Sequence, residues 1–79
     1  MFYEKEARMA DLELLSVVAL MCDLPEAGLV RGQVGTIVEV LGHEAFEVEF
    51  SDDSGKAYAF VALRPEQMMK LHFRKDEAA

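Results

Sequence analysis

The segment from Val34 to Leu63 constrains the fold most, because apolar residues recur there at every second position between short turns. The clearest part is Ala45 to Ser51, where three apolar residues alternate with Glu47 and Glu49. Successive side chains of a β-strand point to opposite faces, so this alternation predicts a half-buried strand. The whole segment therefore predicts a small, curved antiparallel sheet.

Five strands are predicted along the chain, at Ser16 to Met21, Val34 to Leu41, Ala45 to Ser51, Lys56 to Leu63 and Met68 to His72. A long loop follows the first strand, two tight turns join the next three, and a short helical turn that begins at Pro65 precedes the last. This arrangement predicts a mainly β protein, a small five-stranded SH3-like barrel. We expect its core to contain Val17, Ala19, Val34, Val38, Val40, Phe46, Val48, Phe50, Ala59, Val61, Leu63 and Leu71.

The first residues have a different pattern. Good helix formers with apolar residues on one stripe predict a helical segment from Phe2 to Leu15. The alternative is a tail that becomes ordered only from about Leu12. The chain then divides into an N-terminal helical extension or tail at 1–12, an SH3-like β-barrel at 13–73 and a charged C-terminal tail at 74–79.

The composition indicates a reducing compartment. Cys22 is the only cysteine, so no intramolecular disulfide can form. The longest apolar run, Val17 to Cys22, is far shorter than a membrane span, and Met1 to Arg8 does not resemble a secretory signal. We expect a cytoplasmic protein that does not associate with membranes.

No group of residues predicts catalysis or ligand binding. His43 and His72 have no second histidine or cysteine at the spacing of metal ligands, and Cys22 has no evident base beside it. The glycines between Gly28 and Gly35 are not followed by the Lys and Ser or Thr of a phosphate-binding loop. We therefore expect no enzyme activity, no catalytic residues, no cofactor and no metal.

Charge gives the strongest indication of a partner. The net charge is −7, which repels the phosphates of nucleic acids and favours a basic protein. Residues 39–53 contain six acidic residues and no Lys or Arg. Like charges on neighbouring strands destabilise a sheet, and a basic partner would relieve this repulsion. The alternative is a solvated acidic face that only keeps the protein soluble.

Aromatic residues add to this surface. If Ala59 and Val61 point inward, Tyr58 and Phe60 form an outward pair, unless the N-terminal helix or the first loop covers them. The candidate protein-binding residues are therefore Glu39, Glu47, Glu49, Asp52, Asp53, Tyr58 and Phe60. For the two aspartates the alternative is a structural role in a hairpin turn with Gly55.

Four stretches of the chain resemble a bacterial family of small proteins that is defined by a domain of unknown function. They are ELLSVVAL at 13–20, DLPEAGLVRGQVGTIVEV at 23–40, FEVEFSDDSGKAYAFVAL at 46–63 and RPEQMMKL at 64–71. The resemblance implies a small SH3-like fold and brings no catalytic residues. Some members look like antitoxin or immunity-type partners of neighbouring gene products. The stretch GQVGTIVEV at 32–40 is also similar to KOW-type barrels, which often bind RNA or ribosomal proteins.

Two functional hypotheses follow. The first is a non-enzymatic SH3-like protein-binding module, in one form an antitoxin-like neutraliser of a basic enzyme such as a nuclease. The alternative is an RNA- or ribosome-associated KOW-like module. It would require the basic residues to gather on one side, namely Arg31, Lys56, Arg64, Lys70, Arg74 and Lys75. A homodimer through an exposed sheet edge or the N-terminal helix is a further hypothesis.

Overall fold

The computed structural model describes residues 12–73 and residue 75. It contains five β-strands: β1 (Val17–Leu20), β2 (Val34–Gly42), β3 (Ala45–Ser51), β4 (Ala57–Leu63) and β5 (Met68–Lys70). Short 3-10 helices at Pro25–Ala27 and Pro65–Gln67 precede β2 and β5. No α-helix occurs in this described part of the chain. All five predicted strands are confirmed, and their ends lie within two residues of the predicted ones.

The strands form one antiparallel sheet in the order β4-β3-β2-β1-β5. The edge strands β4 and β5 do not pair with each other, so the sheet is open. The five-stranded antiparallel sheet is confirmed, whereas the closed barrel is wrong. Closure needs tilted edge strands long enough to meet, and the edge strand β5 has only three residues against seven in β4.

The core lies against one face of the sheet. The buried hydrophobic residues are Leu12, Val18, Ala19, Leu20, Leu29, Ile37, Phe46, Val48, Phe50, Leu63 and Met68. The predicted core is confirmed in β3 and at the end of β4, and Ala59 and Val61 pack partly buried against it. Leu71 is half-buried.

The inward face of β1 was predicted wrongly. Ala19 is buried, as predicted, but Val18 and Leu20 form the core cluster, and Val17 is half-buried on the opposite face, which Ala19 shares. Every residue of β1 is apolar, so the sequence has no polar position to show which set of side chains points inward.

The same error occurs at Val34, at the start of β2, for a different reason, whereas Val40 lies opposite the buried Phe46 on the core side. Val34 and Val40 are 47% and 51% exposed and Val38 is half-buried, whereas Ile37 is fully buried. The pairing of β2 with β3 shifts register on both sides of Glu39. A bulge adds a residue to one strand, so a simple period of two does not hold along the whole of β2.

The loop between β1 and β2 folds onto the core, as its apolar residues suggest. The backbone amides of Leu24 and Leu29 each donate to the carbonyl of the other, at 2.8 and 3.1 Å. This pairing brings Leu29 into the core and packs Leu24 against it, while Val30 stays exposed.

The chain enters β1 through a turn. The Glu13 amide donates to Ser16 Oγ at 3.1 Å, the Ser16 amide donates to the Glu13 carbonyl at 3.0 Å, and Leu15 has a φ of 72°. A positive φ is incompatible with a continuing right-handed helix. The predicted helix is therefore wrong for residues 12–15, and its remainder lies outside the described residues. Leu12 is 6% exposed and belongs to the core.

Candidate functional site

The face of the sheet opposite the core, called here the open face, carries most of the candidate residues. It is formed by Val17, Ala19, Val34, Thr36, Glu39, Glu47, Glu49, Tyr58, Phe60, Ala62 and Met69. One row across it runs Phe60, Glu49, Thr36 and Val17, and a second runs Ala62, Glu47 and Glu39. Five of the seven candidate residues thus share one surface.

The aromatic pair on β4 points outward, as the sequence predicts. Tyr58 and Phe60 are 50% and 58% exposed, and no described residue of the first loop buries them. Gln33 Nε2 donates to the Tyr58 hydroxyl at 3.0 Å, which holds the ring toward the start of β2. An exposed aromatic held in one orientation is a suitable anchor for a partner, because little side-chain entropy remains to be lost on binding.

Sequence reasoning missed the two large aliphatic side chains that are exposed on this surface. Val34 on β2 and Met69 on β5 are each 47% exposed and flank Ala19 in the sheet. The sequence pattern predicts Val34 in the core and gives no role to Met69. If the side chains of β2 that alternate with Val34, including Ile37, had been predicted to point inward, Val34 would have been predicted on the outward face.

The acidic residues are direct neighbours on the open face. Glu39 on β2 lies opposite Glu47 on β3, and Glu49 lies between Thr36 and Phe60. Directly opposed side chains have Cβ atoms about 5 Å apart. Within the described residues, no ion pair reaches any of these three carboxylates. The open face therefore carries an uncompensated negative charge beside exposed apolar side chains.

This opposition predicts a stabilising substitution. Replacing Glu39 by Lys converts a like-charge pair into an opposite-charge pair, and we expect the free energy of unfolding to rise by about 0.5 kcal/mol. Urea denaturation monitored by circular dichroism measures this change. Glu26→Lys is the matched control, because Glu26 is exposed outside the sheet. Equal changes for the two variants would show that net charge, and not the Glu39–Glu47 pair, is responsible.

Asp52 and Asp53 lie in the turn between β3 and β4, outside the open face. Asp52 Oδ1 accepts hydrogen bonds from the Ser54 amide at 2.9 Å, the Ser54 hydroxyl at 2.8 Å and the Lys56 amide at 3.0 Å. Gly55 closes the turn with a φ of 86°. The Asp52 carboxylate thus shapes the hairpin. Asp53 is exposed and, with Gln33 and Tyr58, lines a shallow depression beside the open face.

These hydrogen bonds predict that the contribution of the hairpin to stability decreases in acid. The Ser54 hydroxyl, followed by the Lys56 amide, holds the pKa of Asp52 below its ordinary value of 3.8. Because the folded-state pKa is lowered, the carboxylate stabilises the fold above pH 3.8, and this contribution is lost as the pH falls through the folded-state pKa. We expect an NMR titration to show that Ser54→Ala raises the pKa of Asp52. Identical titration curves in the two proteins would contradict the assignment.

Other chemical features are sparse. Cys22 is half-buried, and His43 is exposed in the turn between β2 and β3. Across residues 12–73 and residue 75, no group of three or more His, Cys, Asp or Glu side chains could hold a metal ion. The same residues include no helix with the length and hydropathy needed to cross a membrane.

The match to a known family covers all five strands of the sheet. A family model described as domain of unknown function (DUF4926) covers residues 14–70, from the turn before β1 to the end of β5. The chain belongs to the DUF4926 family. No curated protein and no solved structure matches it. The DUF4926 match includes every residue of the open face and stops short of Leu12, which the core of this chain also uses.

Proposed function

We propose that this DUF4926 domain is a non-enzymatic module that binds a basic segment of another protein on its open face. One observation carries the proposal. Glu39, Glu47 and Glu49 share that face with Tyr58 and Phe60, and the face includes no Lys or Arg.

The two kinds of side chain serve complementary roles in binding. Exposed aromatic rings bury a large apolar area when a partner covers them, and their faces attract Lys and Arg side chains. Carboxylates accept charge-assisted hydrogen bonds, with Arg in bidentate geometry. A cation placed between Glu39 and Glu47 also offsets their repulsion, so part of the binding energy comes from relieving an unfavourable interaction in the free protein.

A specific form of this function is neutralisation of a basic enzyme such as a nuclease. The carboxylates would occupy the positions that substrate phosphates take in the enzyme's cationic site, and association would be fast at low salt. We further propose that the sheet is an open variant of an SH3-like barrel. The five antiparallel strands and the 3-10 helix immediately before β5 support that relation.

A peptide titration tests the function. The probe is a synthetic peptide in which Arg alternates with Tyr, added to the isotope-labelled protein at low salt while backbone amide shifts are recorded. We expect shifts at Glu47, Glu49, Tyr58 and Phe60 that disappear when salt is raised, because exposed charges are screened. Glu47→Lys with Glu49→Lys should weaken binding by tenfold or more, about 1.4 kcal/mol.

The control keeps the charge change and moves it off the open face. Glu13→Lys with Glu26→Lys alters the net charge from −7 by the same amount, at two exposed positions away from the strands. Equal loss in the two double variants, or salt-insensitive binding, would refute a specific role of the open face. A single-stranded RNA probe is added in parallel. Tighter binding of RNA than of the peptide would favour the RNA-associated alternative and overturn this proposal.

A further inference from the structure

A groove lies where the chain enters β1 and leaves β5. It has a volume of about 290 Å³ and is lined by residues 13–17 on one side and by residues 70, 71 and 73 on the other. The two sides are neighbours, because β1 pairs with β5 and the Leu71 amide donates to the Val17 carbonyl at 2.9 Å. This site, called here the terminal groove, shares only Val17 with the open face.

Large apolar side chains line both walls of the terminal groove. Leu14 and Leu15 on one wall and Phe73 on the other are each more than half exposed. Val17 and Leu71 are half-buried. Single exposed apolar residues are ordinary, but a group of them around one concave site is typical of a docking surface. The terminal groove therefore favours an apolar occupant.

The backbone holds Leu15 at this groove in an unfavourable conformation. Its φ of 72° is left-handed, which is costly for a residue that has a Cβ. The turn bonds between Glu13 and Ser16 fix this conformation, as does the bond from the Leu15 amide to the Ile37 carbonyl at 2.7 Å. A glycine would adopt the same turn without strain, so the turn does not explain the leucine. Strained residues of this kind are frequent at binding sites.

We propose that residues 1–11 of the same chain occupy the terminal groove, with Phe2 and Tyr3 as the side chains that fill it. These residues precede Leu12, which is buried in the core, and they join the groove wall at Glu13. Docked in this way, residues 1–11 form a strap across the paired ends of β1 and β5. The strap is independent of the proposed function, since the terminal groove contains no acidic or aromatic residue of the open face.

The length of the segment fits this position. Phe2 and Tyr3 precede Leu12 by about ten residues, and a flexible chain of that length has an end-to-end distance of roughly 16–19 Å. The two groove walls continue neighbouring strands, which lie about 5 Å apart, so the groove is well within reach. A tether this short also gives the two rings a local concentration in the millimolar range, so even weak apolar contacts are enough for docking.

The charges of the segment match the groove. The terminal groove includes one acidic residue, Glu13, and one basic residue, Lys70. Residues 1–11 contain two basic and three acidic residues, so their charges nearly cancel. A strongly basic segment would instead be attracted to the carboxylates of the open face. The near-neutral groove therefore favours residues 1–11 over a basic partner.

The fold already uses residues outside the family match. The DUF4926 match covers residues 14–70, so both walls of the terminal groove lie at its ends. Leu12 precedes the match and packs in the core. A strap that continues back from Leu12 extends this packing with further residues of the same segment.

Tyrosine fluorescence tests the strap in the full chain. The chain has two tyrosines and no tryptophan, so Tyr58→Phe leaves Tyr3 as the only emitter. The substitution removes one exposed hydrogen bond, which Gln33 donates. A docked Tyr3 is shielded from acrylamide in solution. The quenching constant of this Tyr58→Phe protein therefore measures how much of the time the strap is docked.

Variants of the groove give the comparison. Leu14→Ser and Phe73→Ser each remove an exposed part of the wall, and Leu15→Gly removes another part and also relieves the strain at a φ of 72°. A weakly docked strap at millimolar local concentration occupies the groove about half of the time, so each variant should raise the quenching constant about twofold. Val30→Ser is the matched control, because it removes an exposed apolar side chain from the loop between β1 and β2. Circular dichroism confirms that each variant is folded.

Three results would overturn the proposal. The first is a quenching constant that none of the groove variants changes. The second is an equal rise for Val30→Ser, which would place the contact of Tyr3 elsewhere. The third is protection of Tyr3 that disappears on dilution, which would show that the segment docks on a second copy of the chain and not on its own groove.

A spin label locates the docked strap. In a Cys22→Ser background, a nitroxide attached at Glu4→Cys lies next to the two aromatic residues of the strap. We expect it to broaden the amide signals of Leu71 and Phe73, on the wall of the groove opposite the entering chain. The control has the same label and tether but both aromatic residues replaced by Ser, and it should lose most of this broadening. Equal broadening in the two proteins, or stronger broadening along β4, would contradict docking in the terminal groove.

Discussion

Replacing Phe50 by Ala should lower the free energy of unfolding by about 3–5 kcal/mol, the largest effect of any single truncation in the sheet. Phe50 is fully buried on β3 and lies between Gly35 on β2 and Ala59 on β4. Neither neighbour has a side chain large enough to fill the space, so a cavity adds to the lost transfer energy. A domain of this length has a total stability of roughly 4–12 kcal/mol, so the loss is a major fraction of it.

Phe60→Ala is the control, because it makes the same chemical change on the adjoining strand at a residue that is 58% exposed. Its expected effect is within about 0.5 kcal/mol. Both variants are compared by urea denaturation monitored by circular dichroism. Similar midpoints for the two would mean that Phe50 does not occupy the centre of the core.

Replacing Gly35 by Ala should destabilise the protein by about 1–3 kcal/mol, although the new residue is better suited to an ordered strand. A Cβ at this position would lie 2.7 Å from Val48 Cγ1, 2.9 Å from the Glu49 carbonyl oxygen and 3.0 Å from Phe50 Cδ2. The carbonyl belongs to the backbone of β3, which is paired on both sides, and cannot move without disturbing the sheet. This overlap outweighs the gain of about 0.4–1 kcal/mol from reduced freedom in the unfolded chain.

A double-mutant cycle tests the cause. Val48→Ala removes the nearest of the three contacting atoms, so Gly35→Ala should be less destabilising in that background than in the wild type. The remaining contact with the Glu49 carbonyl predicts only partial relief. Strict additivity of the two substitutions, or a stabilising effect of Gly35→Ala alone, would refute the close-approach explanation.

The sequence predicts the strands well because turns and polar residues mark them, and it predicts orientation well only where polar residues alternate with apolar ones. In β3 the glutamates at 47 and 49 identify the outward face, and the structure agrees. In β1 every side chain is apolar and in β2 the register shifts near Glu39, so the predicted inward face is wrong for β1 and for the start of β2. Barrel closure depends on the lengths and tilt of the edge strands, which periodicity does not encode.

The same limit applies to the candidate binding residues: alternation predicts which face a residue lies on, but not which residues are opposite each other on neighbouring strands. Glu47, Glu49, Tyr58 and Phe60 could be placed on one face from a period of two alone. The direct opposition of Glu39 and Glu47 depends on the register of β2 against β3, which is seen only in the structure. For Asp52 the alternative prediction was a structural role in the hairpin turn. Its three hydrogen bonds agree with that role and explain why an acidic residue occupies this position.

The order of strands in the sheet also has a kinetic consequence. β2, β3 and β4 are consecutive in the chain and joined by short turns, so they can assemble early from local contacts. β1 and β5 meet only after the rest of the chain closes a long loop between them. We expect the amides of this last-formed edge to exchange with solvent through local opening, while those of β3 exchange only on global unfolding.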